Sequence, residues 1–129
     1  MALDLDDLGD EVHTFLRESH LATLTLVRAD GTPHVTPVGF SYDAAARLAR
    51  VITWAGSQKY RHVGDGVPAA LCQVDGGRWL TLEGTATVTD DPQRVAAAVE
   101  GYAGRYRQPG ERDDRVAIEV GVTRILGRG

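Results

Sequence analysis

The sequence has no asparagine, a single lysine and a single cysteine. Each scarcity excludes something. A lone cysteine, Cys72, cannot close an internal disulfide and fits a reducing, cytoplasmic setting. It lies in an apolar run, residues 68–74, and is expected as a small buried hydrophobe rather than a nucleophile. There is no run of about 18 apolar residues, so no membrane-spanning helix is expected. The opening MALDLDDLGDEV is acidic and lacks the basic and apolar regions of a secretory signal. The histidines, at 13, 20, 34 and 62, show no metal-ligand spacing, so no metal site is expected. Phosphate-loop, dinucleotide and nucleophile-elbow motifs are also missing. The net charge of −4 disfavours non-specific binding to nucleic acid.

What is present describes one globular domain. The 129 residues suit a single domain spanning 1–129. The 43% hydrophobic and 25% charged content is ordinary for such a chain. The basic residues are unusual: of 14 Lys and Arg, 13 are Arg, and the one Lys is Lys59.

Periodicity places the elements. Leu8, Val12, Phe15 and Leu16 form a helical stripe within residues 6–18. Strands are expected at 20–28, 33–42, 48–54, 68–75, 78–89 and 115–126, joined mostly by hairpins. Pro37 cannot donate to a ladder, so its strand lies at an edge or where the sheet opens. Gly84 marks a bulge. Asp91 and Pro92 start a second long helix, with Val95, Val99, Tyr102 and Tyr106 as its buried stripe. Trp54 reads as a core aromatic, Trp79 as a pocket wall and Glu83 as an ion-paired or solvent-facing strand residue. The result is a mainly β fold. Its small antiparallel barrel has six strands, flanking helices and incomplete closure, which favours a homodimer.

One segment has the makings of a binding site. In GSQKYRH, Ser57 caps a short helix, and Lys59 and Arg61 follow at i+2 and i+4. Free N–H groups, a hydroxyl, a point charge and a forked donor together suit an anion such as a phosphate.

Three blocks, HLATLTLVRADGTPHVTPVGF, ARVITWAGSQKYRH and CQVDGGRWLTLEG, resemble the split-barrel flavin/deazaflavin oxidoreductases related to pyridoxamine 5′-phosphate oxidase. The likeness runs over residues 12–127 and is greatest to the branch that uses coenzyme F420. It implies a six-stranded split β-barrel, a homodimer with cofactor sites at the interface, and F420 as cofactor, with FMN the alternative. In relatives the cofactor phosphate is held in the turn after the third strand, here Ser57, Gln58, Lys59 and Arg61. His62 stands where the family often has Asn. Backbone at Pro37, Val38, Gly39, Ile52 and Thr53 would flank the ring system. The partner would add Gly77, Arg78 and Trp79, and Arg115 would meet an acidic tail. The implied activity is hydride transfer to an unsaturated small molecule, with a tetrapyrrole such as biliverdin foremost. No nucleophile is needed, and no catalytic side chain is assigned. A non-catalytic carrier of a flavin, F420 or a tetrapyrrole is a further alternative.

Overall fold

The structure, a computed structural model, describes residues 2–129. In chain order the elements are α1 Asp10–Arg17, β1 Ala22–Val27, β2 Pro33–Val38, β3 Ser41–Asp43 and β4 Leu48–Trp54. Then come α2 Gln58–Val63, β5 Val67–Asp75, β6 Arg78–Thr89, α3 Pro92–Arg105 and β7 Arg115–Arg128. The strands form one antiparallel sheet in the order β2-β1-β5-β6-β7-β4-β3.

The described residues form seven strands, not six. The expected strand over 33–42 breaks after Val38. Its first part pairs with β1 at one end of the sheet, and its last part pairs with β4 at the other. A single stretch of chain therefore carries both outer strands, and the sheet curls round without closing. The physical reason is visible at Phe40. Its ring is fully buried. Its N–H donates to Tyr106 Oη at 3.2 Å, and its carbonyl accepts from Arg105 Nη1 at 2.8 Å. Side chains of α3 satisfy the backbone there in place of a ladder. Pro37 lies on an outermost strand, where its missing N–H costs nothing.

The core lies inside the curl. Phe15, Phe40, Leu24, Leu26, Leu71, Leu80, Leu82, Ile118 and Ile125 are fully buried. Each contributes about 1.5–3 kcal/mol by leaving water. The α1 stripe of Leu8, Val12, Phe15 and Leu16 is buried as its spacing requires. The helix is shorter than expected because the left-handed Gly9 (φ 87°) precedes it. The β6–β7 ladder shifts register between Glu83 and Gly84, the bulge expected there.

Helix α3 starts where Asp91 caps it, its carboxylate accepting from the Arg94 N–H at 3.0 Å. Its stripe needs correction. Val95, Val99, Tyr102 and Tyr106 are only half-buried, whereas Ala98 and Arg105 are buried. Small residues let the helix approach closely: a Cβ at Gly101 would lie 2.3 Å from Ser41 Oγ. The two valines instead line a groove beside the loop that follows the helix. Cys72 is half-buried rather than buried, because β5 alternates and the inward places fall to Leu71 and Gln73. Glu83 is half-buried, with no ion pair among the described residues. Among those residues no helix is long and apolar enough to cross a membrane.

Candidate functional site

Strand β4 ends at Trp54, turns at Ala55 and Gly56, and enters α2. Ser57 caps that helix: its Oγ accepts from the Tyr60 N–H at 3.2 Å and from Thr53 Oγ1 at 2.8 Å. Both hydroxyl residues are buried. Ser57 and Thr53 therefore shape the turn from within and do not line the cleft beside it.

Two residues later, Lys59 enters that cleft. Its volume is about 640 Å³. The end of β2 (Pro37, Val38, Gly39), the middle of β4 (Val51, Ile52), Tyr102 and Arg115 line it, together with the loop over 107–112. Lys59, Arg107, Arg112 and Arg115 face one carboxylate, Glu111, so the cleft is cationic in a chain that is acidic overall. Two of these cations are tethered. Arg112 donates to both carboxylate oxygens of Asp114, at 2.9 and 3.2 Å, and Arg115 Nη2 donates to the Gly110 carbonyl at 2.6 Å.

Lys59 has no carboxylate partner among the described residues. Its ammonium lies 5.0 Å from the centre of the Trp54 ring. Burial pushes its pKa below the usual lysine range. A half-buried cation with no counter-charge is stabilised by an anion that enters the cleft.

The cleft gathers Pro37, Val38, Gly39, Ile52, Lys59 and Arg115 of the expected set. It leaves out others. Gln58 and Arg61 are exposed outside its lining. His62 packs on His34 of β2, with ring centres 4.8 Å apart. Gly77, Arg78 and Trp79 sit at the β5–β6 hairpin, outside the cleft. There Arg78 is held by Glu18 at 3.0 Å and by Asp75, with its guanidinium 4.4 Å from the Phe15 ring centre. Gly39 also meets a packing demand of the fold. A Cβ there would meet the Tyr102 and Tyr106 rings at 3.0 Å, so the glycine makes room for α3 of its own chain. Trp54 is not core: it is 40% exposed.

Sequence reasoning missed the loop wall, Arg107 to Arg112. Its signal was two arginines, Arg107 and Arg112, in the short loop between Arg105 at the end of α3 and Arg115 at the start of β7. No group of three or more metal-binding side chains occurs among the described residues.

Residues 8–129 match the family model described as pyridoxamine 5′-phosphate oxidase. The chain belongs to that family. A member from Mycobacterium tuberculosis, named an F420H(2)-dependent biliverdin reductase, is 50% identical over 120 residues, covering 93% of this chain and 88% of that protein. The solved structure of an F420 reductase superposes with a TM-score of 0.72 at 26% identity, covering 92% of this chain and 98% of the other. A hypothetical protein of Mycobacterium tuberculosis gives a TM-score of 0.76 at 20% identity, covering 99% of this chain and 89% of that one, and shares the fold. The family's mainly β architecture with flanking helices is that of the seven-stranded sheet described above.

Proposed function

We propose that this protein is a reductase that uses coenzyme F420 and passes hydride to an unsaturated small molecule, with biliverdin, reduced to bilirubin, as the leading substrate. The observation that carries this reading is Lys59, a half-buried cation with no carboxylate partner among the described residues, in a cleft ringed by three arginines. The relative at 50% identity, named as F420-dependent and acting on biliverdin, supports the same assignment.

The residues fit the group. F420 joins a flat ring to a phosphate and an acidic tail. The cleft offers an apolar strand wall at Val51 and Ile52 for a ring and cations at its rim for anions. In this reading Lys59 holds the phosphate, and Arg115 and Arg107 meet the tail. Backbone at Pro37, Val38, Gly39 and Ile52 borders the ring. Ser57 acts through its cap, which fixes the start of α2 and thereby the place of Lys59. When bound and reduced, the coenzyme supplies the hydride. The chain's part is to bind, orient and exclude water. The guanidinium groups stay protonated and are poor acids, so the accompanying proton is assigned to water or to a substrate N–H.

The working unit is proposed as a homodimer in the reducing compartment that a lone thiol favours. The partner's β5–β6 hairpin would bring its Gly77, Arg78 and Trp79 to the cleft. Support comes from Val74 and Trp79, apolar and exposed by 63% and 39% on that hairpin.

The test is a fluorescence titration with F420 and, separately, FMN, followed by mixing with reduced F420 and biliverdin. Saturable F420 binding in preference to FMN, with loss of biliverdin absorbance, is expected. Failure to bind F420 overturns the reading. Binding without turnover of any acceptor makes the protein a carrier. Light scattering at working concentration reads the dimer.

A further inference from the structure

We infer that Trp54 is a positioning residue for anions: its indole holds Lys59 and Arg112 together at the mouth of the cleft, ready to move onto a phosphate. The inference rests on the anion-binding reading of the cleft and adds how its cations are kept available.

Two cations share this ring. Lys59 Nζ and the Arg112 guanidinium carbon each lie 5.0 Å from its centre. They come from different elements, α2 and the loop before β7, and Trp54 stands where both are fastened to the end of β4. Its carbonyl accepts from the Ser57 N–H at 3.0 Å, the first link to α2. The neighbouring Ala55 N–H donates to the Asp114 carbonyl at 3.0 Å, the link to the loop. Trp54 itself pairs across the sheet with Arg115. The ring is 40% exposed, and its edge rests on the turn: a Cβ at Gly56 would touch its Cδ1 at 3.7 Å.

The choice of an aromatic partner has a chemical consequence. For Lys59, which has no carboxylate partner among the described residues, a carboxylate in the ring's place would neutralise the ammonium and compete with any incoming phosphate. The face of an indole attracts a cation through its quadrupole and leaves the charge intact. The contact is weak enough to surrender to a charge-assisted hydrogen bond. Long side chains that are already gathered lose less freedom on binding than free ones do. Arg112 keeps its Nε and Nη2 on Asp114, which holds the loop in place, and Nη1 is left to donate to a phosphate without breaking that pair.

The full chain can be titrated with inorganic pyrophosphate while tryptophan emission is followed. A saturable change is expected in the wild type. It should be weakened in Lys59→Ala and lost in Trp54→Phe, which retains Trp79. An unresponsive wild type, or an equal response in Trp54→Phe, overturns the inference. In a parallel F420 titration, Trp54→Leu should raise Kd about fivefold or more, whereas Trp54→Phe, which keeps an aromatic face, should stay within about twofold. Wild-type affinity in Trp54→Leu overturns the positioning role and leaves the cofactor reading intact. A pyrophosphate response without F420 binding supports the positioning role and defeats the cofactor reading.

Discussion

Arg105 donates from Nη2 to Gln73 Oε1 at 2.8 Å, and the two side chains meet in the interior with no carboxylate among the described residues paired to the guanidinium. The charge is balanced by dipoles and rings. Nε donates to the Glu18 carbonyl and Nη1 to the Phe40 carbonyl, both at 2.8 Å. The guanidinium carbon lies 4.7 Å from the Phe40 ring centre and 5.3 Å from that of Tyr106. Its place in the last turn of α3 adds the negative end of the helix dipole. Gln73 passes the link on, donating to the Phe15 carbonyl at 3.2 Å. One residue thus ties the end of α1, the break between β2 and β3, and β5. That break carries Gly39, a wall of the cleft.

Replacing Arg105 should therefore cost stability through orphaned acceptors. Arg105→Met fills similar volume but leaves the part-buried Glu18 carbonyl and the buried Gln73 amide oxygen without their donor, and leaves the Phe40 carbonyl only the Tyr106 hydroxyl at 3.3 Å. A loss of about 3 kcal/mol or more is expected, since each buried orphan costs about 1–3 kcal/mol. Urea unfolding should show a lower midpoint at an unchanged slope. Arg105→Lys reaches fewer of the three acceptors and should recover only part of the loss.

Lys59 makes anion binding sensitive to alkali. Burial holds its pKa below the usual range in the free protein. A bound anion favours the charged form and raises that pKa, so binding takes up a proton once pH exceeds the free value. Affinity for F420 should therefore fall as pH rises through the lowered pKa of Lys59. Lys59→Arg, which stays protonated, should remove this alkaline decline. Lys59→Ala should weaken binding about tenfold or more at neutral pH, the value of a charge-assisted hydrogen bond. Equal pH profiles for wild type and Lys59→Arg would assign the decline to another group.

Much of this arrangement could be read from the chain, for local reasons. The Ser57 and Asp91 caps, the Gly84 bulge and the bounds of β4 and β6 are written in short-range patterns that the fold leaves intact. The break at Phe40 could not be read this way. It depends on Tyr106 and Arg105, more than 60 residues along the chain, accepting and donating where a strand partner would stand. The cleft divides along the same line. Lys59 follows from a capped turn, whereas Arg107 and Arg112 become wall residues only once β7 brings their loop against β2 and β4.

Gly84→Ala tests the bulge. A Cβ at this position would lie 1.9 Å from the Gly121 carbonyl oxygen and 2.8 Å from its carbon. Both are backbone atoms of the neighbouring strand, so no side chain can swing aside. The β6–β7 ladder must shift, at a cost of about 2 kcal/mol or more by the measure of overpacked cores. Thermal unfolding should show a Tm lower by several degrees. A Tm within a degree of wild type would mean that the ladder relaxes freely there.

His34 should make the fold less stable in mild acid. Its ring packs 4.8 Å from that of His62, and burial, the His62 and Arg28 charges and Lys59 all hold its pKa down. The unfolded chain, with an ordinary histidine pKa near 6.5, binds a proton more readily than the folded one. Stability therefore rises with pH across the window between the lowered folded value and the unfolded value. Conversely, it is lost as pH falls through about 6.5, and the loss levels off below the folded pKa. Because the pair joins α2 to β2, protonation strains the approach of Lys59's helix to a wall of the cleft. His34→Gln keeps a polar side chain without a titrating ring and should flatten the dependence of Tm on pH between about 7 and 5. If the variant and the wild type lose Tm in parallel over that range, the acid sensitivity belongs to other groups.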